Sequence, residues 1–428
     1  MLINKVRDKF SNRFIRNVGW LSGAELINRI GRLVNVIFLA RLLSPQDYGL
    51  AAIVLTVTEF ADTFTMKSGV SSKLVQADSK DFPILCNTAY WMNWIFSAFM
   101  FVFQCAAAIP ISWFYKESQI VLPLCAVSIT YLALPLFSVQ SAILVRENRL
   151  KVTALCNALQ GLVSNISMII FAFMGFGMWA IVLPRLLVYP IWVIINRSKC
   201  SWRNKSKFTL YRWQEIASFA TNVVGVELLN KLRANLDYLL VGRFLGIEAL
   251  GLYYFAFNAG IGTSLNLINA TTLSIFPYIC EARNNVKRLK QRYFSSLKSI
   301  ALLIIPLITL QSALAPFYVP VIYGQKWVAA VPILVLVCLS AFPRPFADAA
   351  SMLLQAIDKT KINLYWNLIF TVFLAVCLLV AVKWGIYWVA ISVLISHAIC
   401  LPLFTIWASK YAFKHAFNKA STYSVIGE

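Results

Sequence analysis

The stretch GAELINRI at residues 23–30 returns as GVELLNKL at 225–232, and ARLLSPQDYGL at 40–50 returns as GRFLGIEALGL at 242–252. The register between the copies is constant at 202 residues (225 − 23), without a gap. Eight of the 28 aligned positions are identical (Gly23/Gly225, Glu25/Glu227, Leu26/Leu228, Asn28/Asn230, Arg41/Arg243, Leu43/Leu245, Gly49/Gly251, Leu50/Leu252). Composition alone gives roughly two or three. The charges repeat as well: Glu25 and Arg29 become Glu227 and Lys231 inside segments that are otherwise apolar. A duplicated design that keeps charges within apolar segments is the pattern of a transporter.

Composition sets the class. Of 428 residues, 60% are hydrophobic and only 13% are charged. No water-soluble fold hides that much apolar surface, so the expectation is an all-α polytopic membrane protein. The net charge of +22 then reads as basic residues gathered on cytoplasmic loops, with no nucleic-acid partner implied. Most of the nine cysteines lie in apolar runs, with no CxxC and no metal-ligand or disulfide spacing, so they read as small core residues and no metal is expected.

Apolar runs long enough to cross a bilayer lie at about 18–40, 48–72, 84–110, 119–144, 153–174, 178–196, 214–241, 248–276, 299–323, 328–356, 362–382 and 386–408. The basic residues test this count. With the N-terminus inside, most of the 39 Lys and Arg fall on the cytoplasmic side, and the opposite face holds only Arg41, Lys116, Arg243, Lys326 and Lys383. Every alternate loop obeys the positive-inside rule, which a missed or invented span would invert. The layout is a basic amphipathic segment on the cytoplasmic surface (1–17), a six-helix bundle (18–196), a basic linker (197–213), a second six-helix bundle (214–408) and a cytoplasmic tail (409–428). Six spans per copy give both copies one orientation, so the expected fold is twelve transmembrane helices in two bundles related by a pseudo-two-fold axis along the membrane normal.

Charges within spans are costly and ask for an explanation. Six are basic (Arg29, Arg32, Arg185, Lys231, Arg233, Arg344) and six acidic (Glu25, Glu59, Asp62, Glu227, Asp237, Asp348). Glu25–Arg29, Glu227–Lys231, Arg233–Asp237 and Arg344–Asp348 stand at helical i,i+4 spacing, which puts partners on one face. Arg32, Arg185, Glu59 and Asp62 are left over. Two readings stay open: ion pairs that pack helices, or a hydrated cavity. Glu25, Asn28, Arg29 and Arg32 share one face, more polarity than a packing contact needs. Arg185 follows Pro184, and Arg344 sits between Pro343 and Pro345, where bent helices line transporter cavities. Arginine's planar fork suits phosphate or carboxylate. Candidate anion-binding residues are therefore Arg29, Arg32, Arg185, Arg344, Lys231 and Asn28; candidates for ion coupling or pairing are Glu25, Glu59, Asp62, Glu227 and Asp348. Arg32 aligns with Ala234, so the first copy is expected to keep an unpaired arginine and the main anion site. His397 reads as a hydrogen-bonded helix contact, and Tyr90, Trp91, Trp94, Tyr253 and Tyr254 as a sugar path or as packing groups.

LARLLSPQDYGLAAI from Leu39, SGVSSKLVQ at the end of the second span, and YGQKWVAAVPILVLVC from Tyr323 resemble the corresponding segments of bacterial polysaccharide exporters. The chain is similar throughout to the Wzx-type flippases, of the colanic-acid-exporter kind, in the multidrug/oligosaccharidyl-lipid/polysaccharide superfamily. The resemblance implies movement of an undecaprenyl-pyrophosphate-linked oligosaccharide from the cytoplasmic to the periplasmic leaflet of the bacterial inner membrane, for surface polysaccharide assembly. It implies alternating access of two bundles, with both termini cytoplasmic and cationic cavity residues at the positions of Arg29, Arg32, Arg185 and Arg344. It also implies coupling to a proton or sodium gradient with no other cofactor. The bilayer, a polysaccharide polymerase and a chain-length regulator are the implied partners. Alternatives are a multidrug/cation antiporter or a peptidoglycan-precursor flippase of the same superfamily. A membrane glycan polymerase or glycosyltransferase is the rival from another class. Short external connections, such as 110–119 with only Lys116 and Glu117 as charges, leave such an enzyme little room for catalytic residues.

Overall fold

The computed structural model describes residues 2–204, 207–262, 275–276, 278–282, 285–357 and 359–426, with side chains between 20 and 414 except 21, 22 and 222. Among the described residues the fold is all helical. The helices are α1 (Leu2–Leu42), α2 (Pro45–Phe64), α3 (Lys67–Gln76), α4 (Phe82–Tyr115), α5 (Val121–Ala133), α6 (Ser138–Arg146), α7 (Leu150–Phe173), α8 (Trp179–Lys199), α9 (Trp213–Phe244), α10 (Ile247–Ala259), α11 (Val286–Tyr318), α12 (Val331–Ser340), α13 (Arg344–Ala356), α14 (Thr360–Ala381) and α15 (Ile386–Ile426).

Nine helical stretches among the described residues are long and apolar enough to cross a bilayer. They are Pro45–Gln76, Phe82–Tyr115, Ser118–Leu136, Leu150–Phe173, Trp179–Lys199, Val286–Tyr323, Gln325–Ala356, Thr360–Trp384 and Ile386–Lys414. Large apolar side chains face outward along them, for example Phe99, Val102, Leu302 and Phe317, as a lipid-facing surface requires. The spans expected at 18–40 and 214–241 are α1 and α9, helices of sufficient length that carry more charge: Glu25, Arg29 and Arg32 in one, Glu227, Lys231, Arg233 and Asp237 in the other. The span expected at 248–276 begins as α10, and its part at 263–274 lies outside the described residues, as do the side chains of 1–17.

Among the described residues, three spans are broken. Between α2 and α3, Met66 takes a left-handed conformation (φ 56°). Between α5 and α6, Leu134–Leu136 tightens into a 3₁₀ turn around Pro135. Between α12 and α13, a turn over 341–343 ends at Pro343. Proline explains the last two, since its ring and missing N–H break an α-helix. The first break has no such residue.

The chain forms two compact units, Met1–Asn235 and Leu236–Glu428. In the first, α1 lies along α7, α7 along α8, α4 against α5, and α3 against α6. In the second, α12, α13 and α14 pack on α15, and α11 on α12. Both units turn through a positive-φ residue at corresponding places. Lys116 (φ 57°) after Tyr115 corresponds to Gly324 (φ 105°) after Tyr323, and Gly177 (φ 53°) corresponds to Gly385 (φ 107°). Both pairs stand 208 residues apart (324 − 116, 385 − 177), so the duplication continues beyond the stretch aligned in sequence, with a slip of six (208 − 202).

The first two-thirds of α9 belong to the first unit. Gly69 on α3 lets it approach so closely that a Cβ there would lie 2.4 Å from the Ala220 Cα. Ile216 and Ala220 join Val70, Leu85 and Val139 in one core cluster. At the start of α9, Arg212 bonds Asp81 (2.8 Å) and Glu215 (2.5 Å), while Lys73 lies 3.8 Å from Glu215. Hydrogen bonds to Glu215 and Asp81 push the Arg212 pKa further up, so it stays charged. Across the α3–α6 contact, Arg146 donates to the carbonyls of Leu74 (3.0 Å), Val75 (3.3 Å) and Ala77, closing the C-terminus of α3.

Candidate functional site

The break after α2 places charge from four helices together inside the first unit. Glu59 and Asp62 come from the last turns of α2, and Lys67 opens α3. Arg185 comes from α8, one residue after Pro184, and Lys231 from α9. The Arg185 guanidinium lies 3.9 Å from the Glu59 carboxylate. The Lys231 ammonium donates to the Glu59 backbone carbonyl at 2.6 Å, one of the carbonyls near the end of α2. The Asp62 carboxylate lies within the fields of Arg185, Lys231 and Lys67. Lys67 itself stands over two rings, 5.3 Å from the centre of Phe137 and 5.6 Å from that of Trp192, an arrangement that holds a cation without neutralising it.

The count is three cations against two carboxylates, a net charge of +1. The α3 N-terminus adds to it: Met66 caps it without any side-chain hydrogen bond, and the positive end of the helix dipole lies beside Lys67. Arg185 and Glu59 keep 31% and 44% of their side-chain surface accessible. Ionised groups with that access do not face hydrocarbon; they line water. By formal charge and accessibility, the arrangement is chemically able to attract an anion next to aromatic surface.

The expected residues are sorted by this geometry. It brings together Arg185, Lys231, Glu59 and Asp62, which α2, α8 and α9 contribute from distant parts of the sequence. Lys67 was missed. Its signal was its place inside the second apolar run, at 48–72, with no i,i+4 partner of opposite sign. Arg29 and Arg32 form a separate triad on α1, where both reach the same carboxylate, Glu25, at 3.4 and 2.6 Å. The expectation of an unpaired Arg32 is thus corrected: the spacing of seven residues is two helical turns, which returns Arg32 to the face of Glu25. Asn28 points into the α1–α7 interface, donating to the Asn157 carbonyl at 3.1 Å. Its oxygen occupies the space a Cβ on Gly161 would need. The expected Glu227–Lys231 pair is not formed, because Lys231 reaches across to α2 instead.

In the second unit Asp237 is bonded within its own helix and to α10. Asp237 accepts a hydrogen bond from the Tyr253 hydroxyl at 2.9 Å and from the Tyr238 N–H at 3.0 Å. The positive field of Arg344, the first residue of α13, also acts on it. Tyr238 packs edge-on against Tyr253, Tyr254 and Phe257, so Tyr253 and Tyr254 serve packing. Asp348 is exposed on the next turn of α13. His397 is buried and hydrogen-bonded through Nδ1 to the Ser340 carbonyl at 3.2 Å, a contact between α15 and α12. In the first unit Tyr90 packs against Trp91, Trp94 and Trp202. No group of three or more metal-ligating side chains occurs among the described residues.

Residues 38–332 match the family described as "Polysaccharide biosynthesis protein". The chain belongs to that family. Similar relatives within the polysaccharide proteins include the teichuronic acid biosynthesis protein TuaB of Bacillus subtilis (strain 168), 23% identical over 353 residues, covering 81% of this chain and 72% of that one. The succinoglycan biosynthesis transport protein ExoT of Rhizobium meliloti (strain 1021) is 24% identical over 83% of this chain and 71% of its own. The lipopolysaccharide biosynthesis protein WzxC of Escherichia coli (strain K12) is 21% identical over 80% and 69%. Among solved structures, the fold matches the lipid II flippase MurJ in an inward closed conformation, with a TM-score of 0.73 at 15% identity over 94% of this chain and 90% of that one. It also matches an inward-facing multidrug resistance MATE family transporter of the MOP superfamily, with a TM-score of 0.69 at 15% identity over 93% and 99%. This member of the polysaccharide family is a multi-pass membrane protein that shares the fold of the MurJ and MATE structures, and the resemblance seen in LARLLSPQDYGLAAI holds.

Proposed function

We propose that this protein is a flippase that carries undecaprenyl-pyrophosphate-linked oligosaccharide units from the cytoplasmic to the periplasmic leaflet of the bacterial inner membrane. One observation carries the reading: the accessible cluster of Lys67, Arg185 and Lys231 outweighs Glu59 and Asp62 beside the uncapped end of a broken helix. A pyrophosphate needs this environment to leave the headgroup layer, since crossing hydrocarbon without compensating charge is prohibitive. Broken helices that aim a half-helix N-terminus at an anion are a recurrent transporter device. Phe137 and Trp192 beside Lys67 offer flat apolar surface to the adjoining sugar. The Arg29–Glu25–Arg32 triad, two cations on one acid, serves as a second cationic position, and Arg344 as a third. Asn28 holds α1 on α7 behind the triad.

In this scheme twelve spans form two bundles with both termini in the cytoplasm, and alternating access exposes the site to each leaflet in turn. Asp62 and Glu59 bind the coupling proton or sodium ion, whose arrival weakens their hold on the cations and frees these for the substrate. No covalent step is involved. A polymerase with its chain-length regulator takes the product on the far side.

The test is complementation of a strain lacking the gene. Arg185→Ala and Lys231→Ala, at matched membrane protein level, are expected to remove surface polysaccharide and to leave lipid-linked repeat units on the cytoplasmic side. Normal polysaccharide with either variant overturns the assignment. Restored polysaccharide together with lost resistance to cationic drugs would favour the antiporter alternative.

A further inference from the structure

A further basic position lies where four spans of the first unit end. α8 closes at Lys199, α7 opens at Leu150, α4 opens at Phe82 and α6 closes at Arg146. Between these ends is a cavity of about 500 Å³, lined among others by Phe82, Glu147, Arg149, Arg197, Lys199 and Trp202. That volume is in the range of small-ligand sites. Its charges are three cations against one carboxylate, a net +2. Glu147 is taken by Arg149 at 3.3 Å, and among the described residues Arg197 and Lys199 form no ion pair. The neighbouring Arg203 is spent on the chain itself, donating to the carbonyls of Cys200 and Trp202 (both 2.7 Å) and of Arg197 (2.6 Å). Those bonds curl the start of the linker so that Arg197, Lys199 and Trp202 line one cavity.

We infer that this cavity binds the phosphate headgroup of an anionic phospholipid. Three features point to a lipid over a free anion. The cavity sits at the level where spans end, which is where headgroups lie. It combines unpaired bases with apolar and aromatic surface from Phe82 and Trp202, as a headgroup with its glycerol backbone requires. Its bases occur in a basic pocket between transmembrane helices, the arrangement through which lipid headgroups are recognised. Arg197 lies twelve residues beyond Arg185, roughly 18 Å along α8, so the position is separate from the cluster at the α2–α3 break. Its failure would leave the flippase reading untouched. A lipid held there braces α8 against α4, α6 and the start of the linker.

The experiment titrates the purified full-length protein in neutral detergent with short-chain phosphatidylglycerol, short-chain phosphatidylcholine, inorganic phosphate and inorganic pyrophosphate, reading thermal stability. Saturable stabilisation by phosphatidylglycerol is expected, with none by phosphatidylcholine or inorganic phosphate; any stabilisation by pyrophosphate belongs to the cluster at the α2–α3 break and should be untouched by changes at Arg197 and Lys199. Arg197→Gln with Lys199→Gln should weaken it roughly thirtyfold, at about a factor of five for each base. Lys287→Gln with Lys290→Gln, an equal charge loss on exposed α11, should leave it unchanged. Glu147→Gln should tighten binding, a gain that a misfolded protein cannot show. Equal stabilisation by phosphatidylcholine, equal loss in the α11 variant, or stabilisation by inorganic phosphate or pyrophosphate that Arg197→Gln with Lys199→Gln removes would each overturn the assignment.

Discussion

α1 and α9 are the same helix in the two copies, yet they use their shared polar positions differently. On α1, Glu25 holds both Arg29 and Arg32, so its charges are satisfied within the helix. On α9, Lys231 leaves Glu227 and donates to the end of α2. Asn35 on α1 is buried (4% exposed) and donates to Asn165 of α7 at 2.9 Å; its aligned partner is Asp237, held by Tyr253. The difference follows from small residues. Gly31 of α1 and Gly161 of α7 let those helices meet so closely that a Cβ on Gly31 would lie 2.5 Å from Asn165 Nδ2. On α9 the position of Gly31 is Arg233, which forbids the same approach. Duplication preserved the residue types, and helix spacing reassigned their partners.

The largest expected effect separates Lys231 from Arg29, which the alignment treats as one position. Lys231→Ala removes a cation from the cluster and should bring surface polysaccharide to background. Arg29→Ala leaves Arg32 on Glu25 and should lower it by about fivefold at most, the loss of one screened charge contact. Quantified cell-surface polysaccharide at equal protein level decides; equal losses in both would mean that the two helices still act alike.

Exchanging the buried polar residues should give the next largest effect. Asn35→Asp places a carboxylate beside Asn165 and Met168 with no tyrosine to donate to it, and is expected to cost about 3–5 kcal/mol. Asp237→Asn keeps an acceptor for Tyr253 and should cost about 1–2 kcal/mol. Thermal unfolding of the purified variants in detergent measures both. A reversed order would show that the Tyr253–Asp237 bond is not what makes the carboxylate tolerable.

Glycines give a smaller contrast on the same axis. Gly161→Leu drives a side chain into Asn28 and should destabilise by about 1–3 kcal/mol. Gly23→Leu meets nothing within 4 Å and should stay within about 0.5 kcal/mol. The repeat keeps Gly23 as Gly225 but replaces Gly31 by Arg233, so sequence identity alone does not mark the glycines on which packing depends. The same limit applies across the site. Apolar run length was legible because bilayer thickness acts on local sequence. The i,i+4 rule likewise found Glu25–Arg29, although it stopped one step short of Arg32. Partners on other helices were not legible: nothing in the sequence around Lys231 names Glu59. The break that frees Lys67 was hidden too, because Met66 takes its left-handed conformation without a glycine or proline to announce it.

The smallest effect concerns how each copy starts its second span. In the first, Ser44 and Asp47 form a reciprocal cap: the Asp47 N–H donates to Ser44 Oγ at 3.1 Å and the Ser44 N–H donates to Asp47 Oδ2 at 2.9 Å, with Pro45 as the first helical residue. Asp47 also lies against Gly177, whose φ of 53° is open to glycine and leaves no room for a Cβ. In the second copy Gly246 (φ 90°) precedes α10 and supplies no side-chain cap. Ser44→Ala should therefore cost about 1 kcal/mol, read as a small drop in unfolding temperature. Gly246→Ser should gain nothing, because a φ of 90° holds the serine away from the amide it would have to accept from and adds strain of its own. A stabilised Gly246→Ser variant would show that the second copy can regain the first copy's cap, and that α2 and α10 differ at their starts only by drift.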